Sequence, residues 1–151
     1  MYIKMSDFFM GMGKQFTIEV LDIAEKLFQN EGDVLFDEGD PAKHFFVLLK
    51  GRVKLSLGAT GPVVYMVRHP GEIIGWSGLI EPHEFAASTR CLTDCDVVSV
   101  KGNELLKLME KEPEFGLKLA QRLARLISSR MTYARENLTR GLSQIRLDKE
   151  I

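Results

Sequence analysis

The sequence predicts a mainly β protein with flanking helices, in which a short N-terminal helix and a long C-terminal helix flank a sandwich or barrel of short strands. Three observations favour this fold class. Apolar residues recur at helical spacing before residue 29, strand-length apolar runs cut by Gly, Pro and Asp fill the middle, and helical spacing returns after residue 102. Many short strands at close spacing are typical of sandwiches and barrels.

Length and composition fit one globular domain. The chain has 151 residues, of which 45% are hydrophobic and 27% are charged, which is enough apolar material for one sizeable core. A net charge of −1 gives no general attraction for nucleic acid or an acidic membrane. Residues 1–12 contain no apolar run of signal-peptide or membrane-spanning length, so we expect a cytoplasmic protein without a membrane partner.

We expect an N-terminal segment (residues 1–14), a folded domain (residues 15–138) and a C-terminal tail (residues 139–151). Within the domain, Gln15–Phe28 predicts an amphipathic helix, and five apolar runs predict strands. These runs are Asp33–Phe36, Phe45–Leu49, Val53–Leu57, Val63–Val67 and Asp96–Val100. Apolar and polar residues alternate along Val53–Leu57, which is typical of a sheet with one solvent-exposed face.

The last third of the chain predicts two helices. The first begins near Asn103 and the second at Pro113, where proline is well tolerated and Glu114 lies at the positive end of the helix dipole. Apolar residues of the second helix are spaced alternately three and four apart, which is typical of a coiled-coil seam. This seam consists of Leu117, Ala120, Ala124, Ile127, Met131, Ala134 and Leu138.

The seam predicts a homodimer, because the helix extends beyond the small sandwich that it could cover. The alternative is that the same stripe packs on the sandwich of its own chain. Arginines occupy the remaining faces of the helix, where we expect solvent-exposed side chains. They are Arg122, Arg125, Arg130, Arg135 and Arg140.

Two stretches carry a resemblance to a known family. Residues 32–42 (GDVLFDEGDPA) and residues 45–55 (FFVLLKGRVKL) are similar in residue type and spacing to the cyclic-nucleotide-binding domain family. That family includes the regulatory subunits of cyclic-AMP-dependent kinase and the catabolite-activator type of bacterial regulators. The resemblance covers residues 15–138 and implies a β-jelly-roll, the double-stranded β-helix of such domains.

The resemblance also implies where a ligand would bind. In the family, a Gly-Glu-Leu-Ala type of turn presents backbone N–H groups to the cyclic phosphate, the Glu holds the ribose hydroxyl, and a later Arg pairs with the phosphate. Here Gly75 keeps its place, whereas Trp76 stands in place of the Glu and Phe85 in place of the Arg. The candidate ligand-binding residues are Gly75, Trp76, Ser77, Gly78, Leu79, Phe85, Ala86, Ala87, Ser88 and Arg90.

Because Phe85 stands in place of the arginine, a charge-assisted contact worth roughly 1.5–3 kcal/mol is lost. We therefore do not expect tight binding of cyclic AMP or cyclic GMP. Arg90 is the nearest substitute, but alternation along an unbroken strand would point it away from the side of Phe85. Arg68 and His83 are further candidates for contact with an anion. The rings of Trp76 and Phe85 would either stack on a different small anionic or aromatic ligand or fill the pocket, and the sequence leaves both alternatives open.

These observations predict a non-catalytic sensor or regulatory module. His44, His69 and His83 stand apart from one another, unlike the clustered ligands of a metal-binding cupin, and no nucleophile has a base at recognisable spacing. We therefore expect no catalytic residue, no metal and no firmly assigned cofactor. The alternative is a ligand-free dimeric module that contacts a downstream protein.

Direct DNA binding is not expected, because residues 139–151 are too few for a helix-turn-helix module. It would return as an alternative if the chain were a fragment of a transcription regulator. As a mechanism for the sensor, we expect ligand binding to shift a hinge near residues 111–113 and to move the long helix. Cys91 and Cys95 lack Cys-x-x-Cys spacing and are interpreted as half-buried strand residues.

Overall fold

A computed structural model describes the backbone of residues 8–150 and the side chains of residues 8–140. Helices flank a β region, as the sequence predicts. The elements are α1 (Lys14–Asp22), β1 (Ala24–Gln29), β2 (His44–Lys50), β3 (Val53–Ser56), β4 (Val63–Val67), β5 (Ile73–Ile74), a 3₁₀ helix (Trp76–Leu79), β6 (Ser88–Cys91), β7 (Cys95–Lys101), α2 (Gly102–Lys111) and α3 (Pro113–Glu150). Among the described helices, none combines the length and apolar character that crossing a membrane requires.

The strands form two antiparallel sheets, one with the order β1-β7-β2-β5 and the other with the order β4-β3-β6. In the larger sheet β7 is central, so that Val97 pairs with Leu27 of β1 on one side and with Leu48 of β2 on the other. An apolar cluster lies between the sheets. It includes Phe46, Leu48 and Val97 from the larger sheet and Val53, Leu55, Val67 and Cys91 from the smaller sheet. The β-jelly-roll implied by the resemblance is confirmed.

The opposite face of the larger sheet packs against the helices. Because side chains alternate along a strand, β2 directs Phe45 and Val47 to the helices and Phe46 and Leu48 to the smaller sheet, and all four are buried. This double burial explains why β2 is an uninterrupted apolar run. The second cluster also contains Phe16, Val20, Val98, Val100, Leu105, Leu119 and Leu123.

Residues that precede α1 belong to the second cluster. Phe8, Phe9 and Met12 are buried, and the ring of Phe9 stacks on Phe45 with centroids 6.2 Å apart. Nη1 of Arg122 in α3 donates to the carbonyl of Phe8 at 3.0 Å. The described part of the predicted N-terminal segment therefore packs into the core, and Arg122 is half-buried rather than solvated.

Two predicted elements are wrong. The helix predicted for Gln15–Phe28 ends at Asp22, because Ala24–Gln29 form β1 and pair along their whole length with β7. The strand predicted for Asp33–Phe36 is an irregular segment that lies beside β6. The carbonyls of Asp33 and Phe36 accept hydrogen bonds from backbone N–H groups of β6.

The two C-terminal helices begin as predicted, the second at Pro113. The backbone stays helical to Glu150, so the predicted tail from residue 139 lies within α3 as far as this residue. A single residue, Glu112, separates α2 from α3. The start of α3 packs closely against the end of α2, because a Cβ on Gly116 would lie 2.5 Å from the carbonyl oxygen of Met109.

Candidate ligand pocket

The predicted ligand loop begins at a glycine that no other residue could replace without strain. Gly75 has φ 78° and ψ 49°, a left-handed conformation, and it precedes the 3₁₀ helix Trp76–Leu79. A Cβ at this position would lie 2.9 Å from ring atoms of both Phe36 and Phe85. The backbone therefore approaches the two rings as closely as a glycine allows.

Phe85 is a core residue. Its ring stacks on Phe36 with centroids 3.6 Å apart and an angle of 9° between the planes, and both residues are 6% exposed. The backbone fixes this position, because the N–H of Phe85 donates to Asp40 and its carbonyl accepts from Gly39. Phe36 in turn stacks on Phe46 at 6.1 Å, so Phe85 continues an aromatic column into the space between the sheets.

A cavity of about 60 Å³ lies between the loop, the two phenylalanines and α3. Six of the predicted ligand-binding residues meet there, together with three that the sequence did not single out for this role. The predicted ones are Gly75, Trp76, Ser77, Phe85, Ala86 and Ala87, and the others are Phe36, Leu55 and Arg130.

Four predicted residues lie elsewhere. Gly78 and Leu79 are buried behind the loop, where a Cβ on Gly78 would lie 2.7 Å from the carbonyl oxygen of His44. Ser88 is buried, and its Oγ accepts the N–H of Glu38 at 2.9 Å. Arg90 is exposed on β6 and does not line the cavity. Its side chain is therefore on the side of β6 away from the cavity, in agreement with the alternation along the strand.

Arg130 of α3 supplies the positive charge of the cavity. It is 6% exposed, and its Nη2 donates to the carbonyl of Ile73. The guanidinium carbon lies 4.4 Å from the ring centroid of Tyr65 and 5.1 Å from that of Trp76. The expectation that Arg130 is solvated is wrong, because the residue continues the buried stripe of Leu119, Leu123 and Leu126 at spacings of four, three and four. That spacing is the signal in the sequence that could have identified it.

A hydrogen-bonded pair lies next to Arg130. The hydroxyl of Tyr65 donates to Oε1 of Glu72 at 2.5 Å, and Oε2 of Glu72 accepts the N–H groups of Arg68 and His69 at 2.9 Å each. Burial raises the pKa of Glu72, but these hydrogen bonds outweigh it and hold the pKa below its usual value. Burial and the bond to Glu72 raise the pKa of Tyr65, so this hydroxyl keeps its proton. Burial lowers the pKa of Arg130, and the neighbouring Tyr65 and Glu72 oppose that effect.

The sequence profile of the cyclic nucleotide-binding domain matches residues 28–112, more than half of the chain. The chain belongs to the cyclic nucleotide-binding domain family. A search among curated proteins finds no match.

Solved structures with the same fold include other members of this family. A protein from Geobacter metallireducens GS-15, described as a candidate cyclic nucleotide-binding protein, is 27% identical with a TM-score of 0.77, over 85% of this chain and 95% of its own. A cyclic nucleotide-binding domain from Methylobacillus flagellatus is 20% identical with a TM-score of 0.76, over 93% of this chain and 80% of its own. The catabolite activator protein of Thermus thermophilus is 22% identical with a TM-score of 0.69, over 89% of this chain and 62% of its own.

The seam of α3 lies mostly on the side of the helix that faces away from the domain. Leu117, Met131 and Leu138 are 61%, 66% and 67% exposed. Ala120 and Ala124 are also exposed, whereas Ile127 and Ala134 are half-buried. The stripe that packs on the domain is a different one, formed by Leu119, Leu123, Leu126 and Arg130.

The cysteines and histidines lie apart from the cavity lining. Cys91 and Cys95 are both buried and reduced, and burial, with Cys95 beside it, raises the pKa of Cys91 to about 12. A thiol with such a pKa is unreactive at neutral pH. In the described part of the chain, no three His, Cys, Asp or Glu side chains are grouped as they would be around a metal ion. Nδ1 of His83 lies 3.1 Å from the carbonyl oxygen of Ser77, on the back of the loop.

Proposed function

We propose that this chain is a non-catalytic, cytoplasmic regulatory module that retains the family fold but has lost the family's ionic contact with a cyclic phosphate. The stacking of Phe85 on Phe36, at 3.6 Å, carries this proposal. Phe85 occupies the position at which the resemblance places the phosphate-binding arginine. A phenyl ring offers a phosphate neither a charge nor an N–H donor.

The size of the cavity supports the same conclusion. Its volume is about 60 Å³, whereas pockets for drug-sized ligands measure roughly 300–1,000 Å³. A cyclic nucleotide could enter only if Phe85 left its stack with Phe36 or if α3 moved away from the loop. Both changes would expose apolar surface, so binding of cyclic AMP or cyclic GMP would be opposed by a loss of burial.

The contacts of α3 support a role as a sensor. Arg130 covers the cavity, and Tyr133, one turn later, packs edge-on against Tyr65 with centroids 5.2 Å apart. A ligand that changed the contacts of Arg130 would therefore change the docking of the whole helix. We expect α3 to move about the hinge at residues 111–113, where Glu112 has non-helical φ and ψ of −120° and 75°.

The exposed seam supports a homodimer formed through α3. Three large side chains of the seam are more than half exposed, and a second copy of the same helix could bury them at heptad spacing. Changing both Leu117 and Met131 to Glu is expected to convert the dimer to monomer in analytical ultracentrifugation. The double variant Gln121→Glu/Ser129→Glu, at two exposed positions outside the seam, is the matched control for two added charges, and a native monomer would contradict the proposal.

The aromatic stack also favours a second candidate function, a ligand-free module that contacts a downstream protein. In this case the rings only fill space, and no small molecule would raise the melting temperature. Trp76 gives a direct way to separate the two functions, because it is the one tryptophan of the chain and it lines the cavity. A ligand in the cavity would change its fluorescence, whereas a partner that binds at the seam would not.

Calorimetric titration with cyclic AMP and cyclic GMP tests the loss of the ionic contact. The native chain is expected to show no micromolar binding, and the double variant Trp76→Glu/Phe85→Arg, which restores both residues of the family pattern, is expected to gain it. Phe28→Arg is a control for the added charge, because Phe28 is 60% exposed on β1. Micromolar binding of either nucleotide by the native chain would contradict the proposal.

A further inference from the structure

Arg130 is a buried cation that the protein satisfies only in part. It is 6% exposed, and Nη2 is bonded to the carbonyl of Ile73, whereas Nε and Nη1 have no hydrogen-bond partner among the described residues. Buried N–H groups without acceptors are costly, because they lose their bonds to water and gain none. The cost would be offset by an acceptor that a ligand brings into the cavity.

No neighbouring group among the described residues supplies that acceptor in this structure. Both oxygens of Glu72 are already bonded to Tyr65 and to two backbone N–H groups. Within the described residues, the ion pairs involve Lys107 and Lys111 and leave Arg130 without a carboxylate within 4.0 Å. The rings of Tyr65 and Trp76 cover the faces of the guanidinium, and the hydroxyl of Tyr65, which donates to Glu72, leaves Nε and Nη1 of Arg130 without a hydrogen bond.

The rest of the cavity indicates what the acceptor is attached to. Apart from Arg130 and the turn Gly75–Ser77, the lining is apolar, formed by Phe36, Leu55, Phe85, Ala86 and Ala87. One cation in such a lining matches one negative charge, whereas a phosphate dianion would leave a charge unpaired in an apolar site. The rings of Trp76 and Phe85 favour a flat, apolar body. The volume of about 60 Å³ is smaller than the roughly 150 Å³ of a cavity that binds benzene, so a single ring enters only with a shift of the half-buried Trp76 side chain.

We propose that this cavity is a binding site for a small aromatic monocarboxylate, whose carboxylate is held by the free N–H groups of Arg130 and whose ring lies among the aromatic side chains. The site rests on the proposed function, since it replaces the cyclic nucleotide of the family by a smaller anion. In this site the positive charge comes from the long helix and not from the loop before β6. Binding therefore joins α3 to the loop directly.

Titration with benzoate and with benzamide, its neutral analogue of similar shape, tests this site in the chain of residues 1–151. Trp76 fluorescence and the melting temperature are the two measurements. Benzoate is expected to change the fluorescence and to raise the melting temperature, while benzamide at the same concentration leaves both nearly unchanged. Arg130→Met is expected to weaken benzoate binding roughly 10- to 100-fold, the worth of a charge-assisted hydrogen bond.

Arg125→Met is the matched control, because Arg125 is an exposed arginine of the same helix and its replacement should leave benzoate binding unchanged. Arg130→Lys keeps the charge with different geometry, and it is expected to retain part of the affinity even if the Met variant folds poorly. Equal effects of benzoate and benzamide on the native chain, no effect of benzoate at millimolar concentration, or unchanged benzoate affinity in Arg130→Met would overturn the proposal.

Failure of this site can be distinguished from failure of the proposed function. If neither benzoate nor cyclic AMP binds the native chain, the carboxylate site is wrong and the loss of the cyclic-phosphate contact stands. If cyclic AMP binds the native chain and benzoate does not, both proposals are wrong.

Discussion

The cavity has two walls of opposite character. On one side Phe36 and Phe85 form a closed aromatic stack that continues into the core between the sheets. On the other side Arg130 is equally buried but keeps two nitrogens without acceptors. The first wall contributes to stability through packing, whereas the second costs desolvation that the folded chain does not fully offset. The contrast separates a side of the cavity that is packed as core from a side that, in our proposal, holds a ligand.

The largest expected effect comes from the phenylalanine wall. Phe85→Ala should lower the free energy of unfolding by about 3–5 kcal/mol, because it removes a buried ring and leaves a cavity next to Phe36. Urea denaturation measures this change. Phe28→Ala removes a ring that is 60% exposed and should cost much less. Similar losses in the two variants would show that the stack is not part of the core.

Gly75 sharpens the comparison, because it touches the phenylalanine wall directly. Gly39→Ala, at φ 89° with no atom within 4 Å of the new Cβ, should cost about 1–2 kcal/mol for the left-handed backbone alone. Gly75→Ala should cost about 1–3 kcal/mol more, because its Cβ would meet both rings at 2.9 Å. The two variants are compared by chemical denaturation. Equal costs would mean that the rings can move away from the loop.

The arginine wall should respond very differently. Arg130→Met is expected to change the free energy of unfolding by only about 1 kcal/mol in either direction without ligand, since the lost contacts are balanced by removal of an incompletely paired charge. The measurement is urea denaturation in a buffer without organic acids. A loss as large as that of Phe85→Ala would show that Arg130 is a structural anchor and that the two walls are alike.

The smallest expected effect is a pH dependence next to Arg130. The folded state lowers the pKa of Glu72, so its contribution to stability is present above the unfolded pKa, about 4.3, and is lost as the pH falls through the folded value. Glu72→Gln should therefore destabilise the chain more at neutral pH than near pH 3. The difference should stay below about 1 kcal/mol, because the half-exposed carboxylate is screened by solvent. A larger destabilisation at low pH would contradict the assigned direction.

Local patterns predicted much of the fold. The run Phe45–Leu49 forms β2 and the long helix begins at Pro113, as the sequence indicates. Local patterns failed where distant partners decide the structure. Ala24–Gln29 has helical spacing, yet it forms a strand because β7 offers an unpaired edge along its whole length.

The site shows the same division. The sequence alone determined that Trp76 follows the glycine of the turn and that Phe85 lies ten residues after Gly75, and it predicted that the two rings replace the charged groups of the family, because identity and spacing along the chain are local facts. Only the tertiary structure decided that Phe85 stacks on Phe36 and that Arg130 bonds to Ile73, 57 residues away. Such contacts depend on how two sheets and a helix pack together, and periodicity along one segment does not specify which distant side chain it will meet.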